Sequence, residues 1–176
     1  DNGWYETLAR ADVSLVADGI ARITETGVET SNGEHHPIDV LILATGFKSN
    51  ELLSPMQVLG LGGQDLTGVW GDAANAYKGT NMPGFPNLFF LYGPNTNIVH
   101  GGSIIYQIEC QIHYVMQCLA LLVSNDIKAL DVREEINDQY NKEVQAISGQ
   151  LAWGHPSVES WYKNQSGQVI NNSPFS

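Results

Sequence analysis

Positive charge is scarce in this chain. Its 176 residues carry 8 Lys and Arg against 19 Asp and Glu, a formal net charge of −11 at pH 7, so nucleic acid and anionic membrane meet mostly repulsion. A dinucleotide is not excluded, because backbone amides and helix N-termini hold phosphate without a basic surface. Cysteine is nearly absent as well. Cys110 and Cys118 fall in one apolar-periodic segment, where a helical rise separates them by roughly 12 Å, too far to bridge. With no cysteine framework and no signal-peptide pattern, a reducing cytoplasm is the expected setting. The sequence also lacks a run of the ~18 apolar residues that a membrane-spanning helix needs, any HxxxH or CxxC metal spacing, and any serine or cysteine in a nucleophile motif. No catalytic residue and no metal ligand can therefore be assigned, and a chain with no acid–base or nucleophile constellation of its own takes its chemistry from elsewhere.

What is present suffices for a domain: 43% of the residues are hydrophobic. A short helix is expected near residues 4–9, then strands at 13–16, 20–24 and 28–30, with Gly19, Gly27 and Asn32-Gly33 as turns. Residues 38–44 (IDVLILA) form a continuous apolar, β-branched run between Pro37 and Thr45-Gly46, the pattern of a parallel strand buried on both faces. Residues 58–70 read as a hairpin turning near Gly62-Gly63. There Gly60-Leu61-Gly62 imitates a dinucleotide fingerprint, but Asp65 stands where the third glycine belongs. Further short strands are expected at 88–92 and 128–132. Ile104, Ile105, Ile108, Ile112, Val115, Met116, Leu119, Leu122 and Val123 follow spacings of three and four, predicting a long helix with one buried stripe. A polar helix over 134–147 carries Ile136, Tyr140, Val144 and Ile147 on one face.

Two places can hold a ligand. Gly93-Pro94-Asn95 ends a strand and leads through glycines into the long helix, whose first turn has surplus N–H groups and partial positive charge. Ser103 is the expected N-cap, just before Ile104. Thr45-Gly46 closes the 38–44 run, at the edge where open α/β sheets bind ligands. His113, beside the apolar stripe, reads as structural or half-exposed, and His35-His36, beside a turn, as solvent-exposed. The chain opens on Asp1-Asn2-Gly3-Trp4 and closes on Ser173-Pro174-Phe175-Ser176, and both ends look like cuts through a longer protein.

Asp39-Val40-Leu41-Ile42-Leu43-Ala44-Thr45-Gly46-Phe47, Tyr77-Lys78-Gly79-Thr80, Gly84-Phe85-Pro86-Asn87-Leu88-Phe89-Phe90, Gly93-Pro94-Asn95 and Ser160-Trp161-Tyr162-Lys163-Asn164 stand in an order that resembles flavin-containing and Baeyer–Villiger monooxygenases. Residues 92–109 look most like the 4-hydroxyacetophenone monooxygenase branch. The resemblance implies an α/β fold: the C-terminal part of a flavoprotein with two Rossmann-like dinucleotide domains. Residues 1–44 would be the tail of the NADPH-binding domain and 45–176 the C-terminal half of the FAD-binding domain. It implies FAD and NADPH as cofactors of the whole protein, with Thr45, Gly46, Gly93, Pro94, Asn95, Ser103 and Ile104 on the flavin side, and oxidation of a ketone to an ester through a C4a-peroxyflavin. Oxygenation of a nitrogen or sulfur nucleophile is the enzymatic alternative, and a module that kept the fold but lost the cofactor loops is the non-catalytic one. Because the family's glycine-rich loops would precede Asp1, the chain alone is expected to be inactive and free of cofactor, and to self-associate through the surface meant for its missing N-terminal part.

Overall fold

The computed structural model describes residues 2–99 and 101–175; Asp1, His100 and Ser176 fall outside it, and with them the two terminal residues of the reading made from the chain ends. It divides into two compact units, Asp1–Gly46 and Phe47–Ser176.

In the first unit a short helix α1 (Trp4–Leu8) precedes an antiparallel meander of β1 (Ile20–Thr24), β2 (Gly27–Thr30) and β3 (His35–Pro37). Pairing runs Ile23 to Val28 and Thr24 to Gly27, then Val28 to His36. The β2–β3 turn forms as expected at Asn32-Gly33. Asn32 Oδ1 accepts from Thr30 Oγ1 at 2.7 Å and from the Glu34 amide at 2.9 Å, while Gly33 supplies the positive φ of 89°. β3 contains the two histidines that the sequence reading left beside a turn. Arg22 and Glu29, paired across β1 and β2, approach to 2.6 Å at the surface, a contact worth less than about 1 kcal/mol.

Two expected strands do not form here. Residues 13–16 and 38–44 join no ladder, and Val40, Ile42 and Leu43 are exposed. A strand is defined by its partners, and a parallel one buried on both faces needs a neighbour on each side. Among the described residues the one sheet is the antiparallel meander, so the 38–44 run keeps its composition without its pairing.

The second unit is built around Leu66, Trp70, Ala74, Ala76, Met82, Phe85, Phe90 and Ile170. The Trp70 and Phe90 rings lie 5.5 Å apart, and Trp70 Nε1 donates to the Asn75 carbonyl at 2.8 Å, so the indole is buried with its polar end satisfied. The hairpin expected over 58–70 survives only as a bridge between Leu59 and Asp65 around the turn at Gly62 and Gly63. Its second arm is instead a helix, α2 (Leu66–Trp70), because Asp65 Oδ2 accepts from the Gly68 amide and caps a helical turn. Residues 88–92 and 128–132 are not strands either. Asn87 joins these two stretches by accepting from the Leu130 amide through Oδ1 at 3.0 Å and donating its own amide to the Leu130 carbonyl at 3.0 Å.

Both long helices form where the periodicity placed them, as α3 (Ile104–Ser124) and α4 (Glu134–Ser148). On α4 the expected face is inward, with Val144 fully buried and Asn137 donating to Asn75 Oδ1. On α3 the single expected stripe divides in two. Ile108, Gln111, Val115, Cys118 and Leu122 face the unit, whereas Ile105, Ile112, Met116, Leu119 and Val123 are exposed. The exposed set repeats at near-heptad spacing along 21 residues, an apolar ridge that water solvates poorly. The chain is expected to self-associate along it. Light scattering should show oligomers that Ile112→Lys with Met116→Lys reduces toward monomer; a parent that stays monomeric at high concentration would refute this. No helix among the described residues is long and apolar enough to cross a membrane.

Candidate functional site

The site predicted at residues 93–104 lies wholly in the second unit. Gly93 sits on the backbone of Gly79: a Cβ there would lie 2.4 Å from the Gly79 carbonyl oxygen. Pro94 is fully buried, and Asn95 is 4% exposed. Asn95 Nδ2 donates to the carbonyls of Val169 at 2.7 Å and Asn172 at 3.1 Å. Its backbone amide donates to the Ile170 carbonyl at 2.9 Å, and the Asn97 amide to that of Asn171 at 2.9 Å. The turn is thereby fastened to the returning C-terminal segment, and a further bond from Asn97 Nδ2 to Asn172 Oδ1 at 2.8 Å continues the latch. Sequence reading missed this partner, because the bonded residues stand more than 70 positions apart. Asn95→Ala should cost about 2 kcal/mol by stranding the Asn172 carbonyl, the Val169 carbonyl keeping its bond from Gln145 Nε2 at 2.9 Å, and should free the C-terminus for proteolysis. A denaturant midpoint and cleavage rate equal to those of the parent would refute the latch.

The helix that follows is aimed by two contacts. Ser103 caps it, its Oγ accepting from the Tyr106 amide at 3.3 Å. Gln111, buried one face further along, accepts from the Tyr92 amide through Oε1 at 2.9 Å and donates to Thr80 Oγ1 through Nε2 at 3.1 Å. A buried amide with both ends satisfied fixes the helix against the turn more tightly than an apolar contact would.

In front of the helix start lies a cavity of about 580 Å³, large enough for a fused-ring ligand. Asn95, Gly101, Gly102 and Ser103 line it from the predicted segment, and Lys78, Tyr140 and Phe175 from elsewhere. The structure thus brings Asn95 and Ser103 to one cavity. Ile104 follows Ser103 as the first helical residue and is 41% exposed. Gly93 lines a second, smaller cavity of about 190 Å³ with Trp161 and Tyr162. Thr45 and Gly46 are exposed and belong to the first unit.

Three features bear on what the large cavity could hold. The terminus of α3 carries partial positive charge. Asn95 Oδ1 is buried with no hydrogen-bond partner, leaving an acceptor that a ligand donor or a water would satisfy. Burial, and then the neighbouring Tyr77 and Glu143, push the Tyr140 phenol up to about 12, so it stays a neutral hydroxyl at physiological pH. Among the described residues no group of three His, Cys, Asp or Glu could hold a metal ion.

The chain is 37% identical over 161 residues to a Baeyer–Villiger monooxygenase of Pseudomonas aeruginosa, covering 92% of this chain and 30% of the relative. The relatives are monooxygenases. An FAD-binding monooxygenase of Aspergillus niger is 37% identical over 97% of this chain and 28% of its own length. A phenazine N-monooxygenase of Lysobacter antibioticus is 30% identical over 91% and 29%. Among solved structures, oxidised steroid monooxygenase bound to NADP matches with a TM-score of 0.74 at 26% identity, over 99% of this chain and 33% of that one. Cyclohexanone monooxygenase of Rhodococcus bound to NADP+ matches with 0.71 at 27%, over 90% and 31%. The chain spans about three tenths of the length of the curated relatives it matches. No protein-family model matches it.

Proposed function

We propose that this chain is the flavin-facing C-terminal part of an FAD- and NADPH-dependent monooxygenase that oxidises ketones to esters, with residues 1–44 ending a Rossmann-like NADPH domain and 45–176 completing the FAD domain. The observation that carries the reading is the cavity at the capped start of α3, where Asn95 and Ser103 meet. FAD held there would pass electrons from NADPH to O2 and so supply the activated oxygen. The chain's own part is to bind and orient: the α3 terminus faces developing negative charge on the ring, and the Asn95 latch holds the turn in place. Trp161 and Tyr162, their ring centroids 3.9 Å apart, line the smaller cavity with Gly93. Residues 92–109 favour the 4-hydroxyacetophenone branch, and a reducing cytoplasm suits the free Cys110 and Cys118.

A second reading keeps the cofactors but oxygenates nitrogen or sulfur, and the phenazine N-monooxygenase relative favours it. The test is the full-length protein with NADPH and paired substrates, an aryl ketone and an aromatic amine N-heterocycle, followed by product mass. Gain of one oxygen atom as an ester supports the first reading, and gain as an N-oxide the second. A full-length protein that loads no flavin would make the chain a non-catalytic module. The 176-residue chain purified alone is expected to be colourless, and a stoichiometric flavin spectrum from it would overturn that assignment.

A further inference from the structure

Among the described residues Lys78 is the one charged residue lining the cavity before α3, in a chain whose net charge is −11; it is exposed and also lines a neighbouring cavity with Tyr77. None of the ion pairs among the described residues includes it. Its ammonium instead lies 5.7 Å from the centroid of the Tyr77 ring, a contact that holds a cation without neutralising it. The backbone under it is unusual. The Thr80 amide donates to the Tyr77 carbonyl at 2.9 Å across Lys78 and Gly79, whose φ values are 52° and 63°. This is a turn with both central residues left-handed, where the first position favours Asn, Asp or Gly. A lysine there is strained, and a strained residue kept at a cavity wall points to use. Gly79 packs beneath the predicted segment, with space for a Cβ closed by Thr96 and Pro94, so the turn that carries Lys78 is anchored to the segment that leads into α3.

We propose that Lys78 is the cation that offsets negative charge on the dioxypyrimidine edge of the reduced flavin, acting beside the N-terminus of α3. This rests on the proposed function. An ammonium at a cavity wall favours the anionic reduced ring over the neutral oxidised one, and so raises the potential at which the flavin accepts electrons. Lys78 is a positioning and electrostatic residue, and no proton transfer is assigned to it.

The discriminating variant is Lys78→Asn in the full-length, FAD-loaded protein, because asparagine suits the left-handed position and the fold is kept. Its melting temperature should equal or exceed that of the parent. Reduced flavin should bind at least tenfold more weakly relative to oxidised flavin, which lowers a two-electron midpoint by about 30 mV. Lys78→Arg, keeping the charge, should restore the parental midpoint. An unchanged midpoint in Lys78→Asn, or a fall that Lys78→Arg fails to restore, would overturn the role of Lys78 while leaving the flavoprotein reading intact. A parent protein that takes up no flavin would overturn both.

Discussion

Gly79→Ala should destabilise the second unit by about 2–5 kcal/mol, combining two costs. An alanine at φ 63° adopts a left-handed backbone at roughly 1–2 kcal/mol, and its Cβ would stand 2.0 Å from Thr96 Cγ2 and 2.8 Å from the Pro94 carbonyl oxygen, an overpacking cost of about 1–3 kcal/mol. The Thr96 side chain has little freedom to withdraw, because its Oγ1 donates to the Gly93 carbonyl at 2.7 Å and the residue is buried. Gly167→Ala is the matched control: its φ is 80° and nothing lies within 4 Å of the new Cβ, so it carries the backbone cost alone. Thermal melts of the two should differ by several degrees. Adding Thr96→Ser to Gly79→Ala removes the nearest clashing methyl while keeping a hydroxyl for Gly93, and should recover part of the loss. Equal melting temperatures for the two alanine variants would show that the 79–96 contact yields, and that the turn bearing Lys78 is not anchored as described.

What the sequence made legible depended on how local the cause was. The Ser103 cap, the extents of α3 and α4, and the Asn32-Gly33 turn came out as expected because each is decided within a few residues by hydrogen bonding or periodicity. The strands at 38–44 and 88–92 did not, because apolar composition states a demand for burial but cannot supply a partner. The hairpin at 58–70 gave way to α2 because one aspartate side chain outcompeted a ladder for the Gly68 amide. On α3 the apolar positions were read correctly as apolar, yet two faces were merged into one. Gln111, the best-connected buried residue of that helix, was passed over as polar. At the site the pattern reached Asn95 and Ser103, whereas Tyr140 and Phe175 arrive from two other segments and leave no local trace of a role there. Lys78 did carry one signal, a lysine before glycine in a tight turn, where Asn-Gly would be ordinary.

Ser103→Asp should separate fold from function at the same cavity. An aspartate N-cap accepts the Tyr106 amide as serine does and adds a favourable charge–dipole interaction of about 0.3–1 kcal/mol, so the melting temperature should hold or rise slightly. For an anionic reduced ring seated against the same terminus the new charge is repulsive. In an environment of effective dielectric near 20 such a repulsion at close range is on the order of a few kcal/mol, and every ~1.4 kcal/mol is about 30 mV in a two-electron potential. On the proposed function, the flavin midpoint of the full-length variant should therefore fall by tens of millivolts, with slower reduction by NADPH in stopped flow and less oxygenated product. Screening would shrink the figure at high salt if the carboxylate stays exposed, so the titration belongs at both low and high ionic strength. The two responses run in opposite directions, which a merely damaged fold cannot imitate, since damage lowers stability and flavin content together. A stable, fully flavin-loaded Ser103→Asp protein with the parental potential would mean that the start of α3 does not face the ring, and the site drawn through Asn95 and Ser103 would have to move.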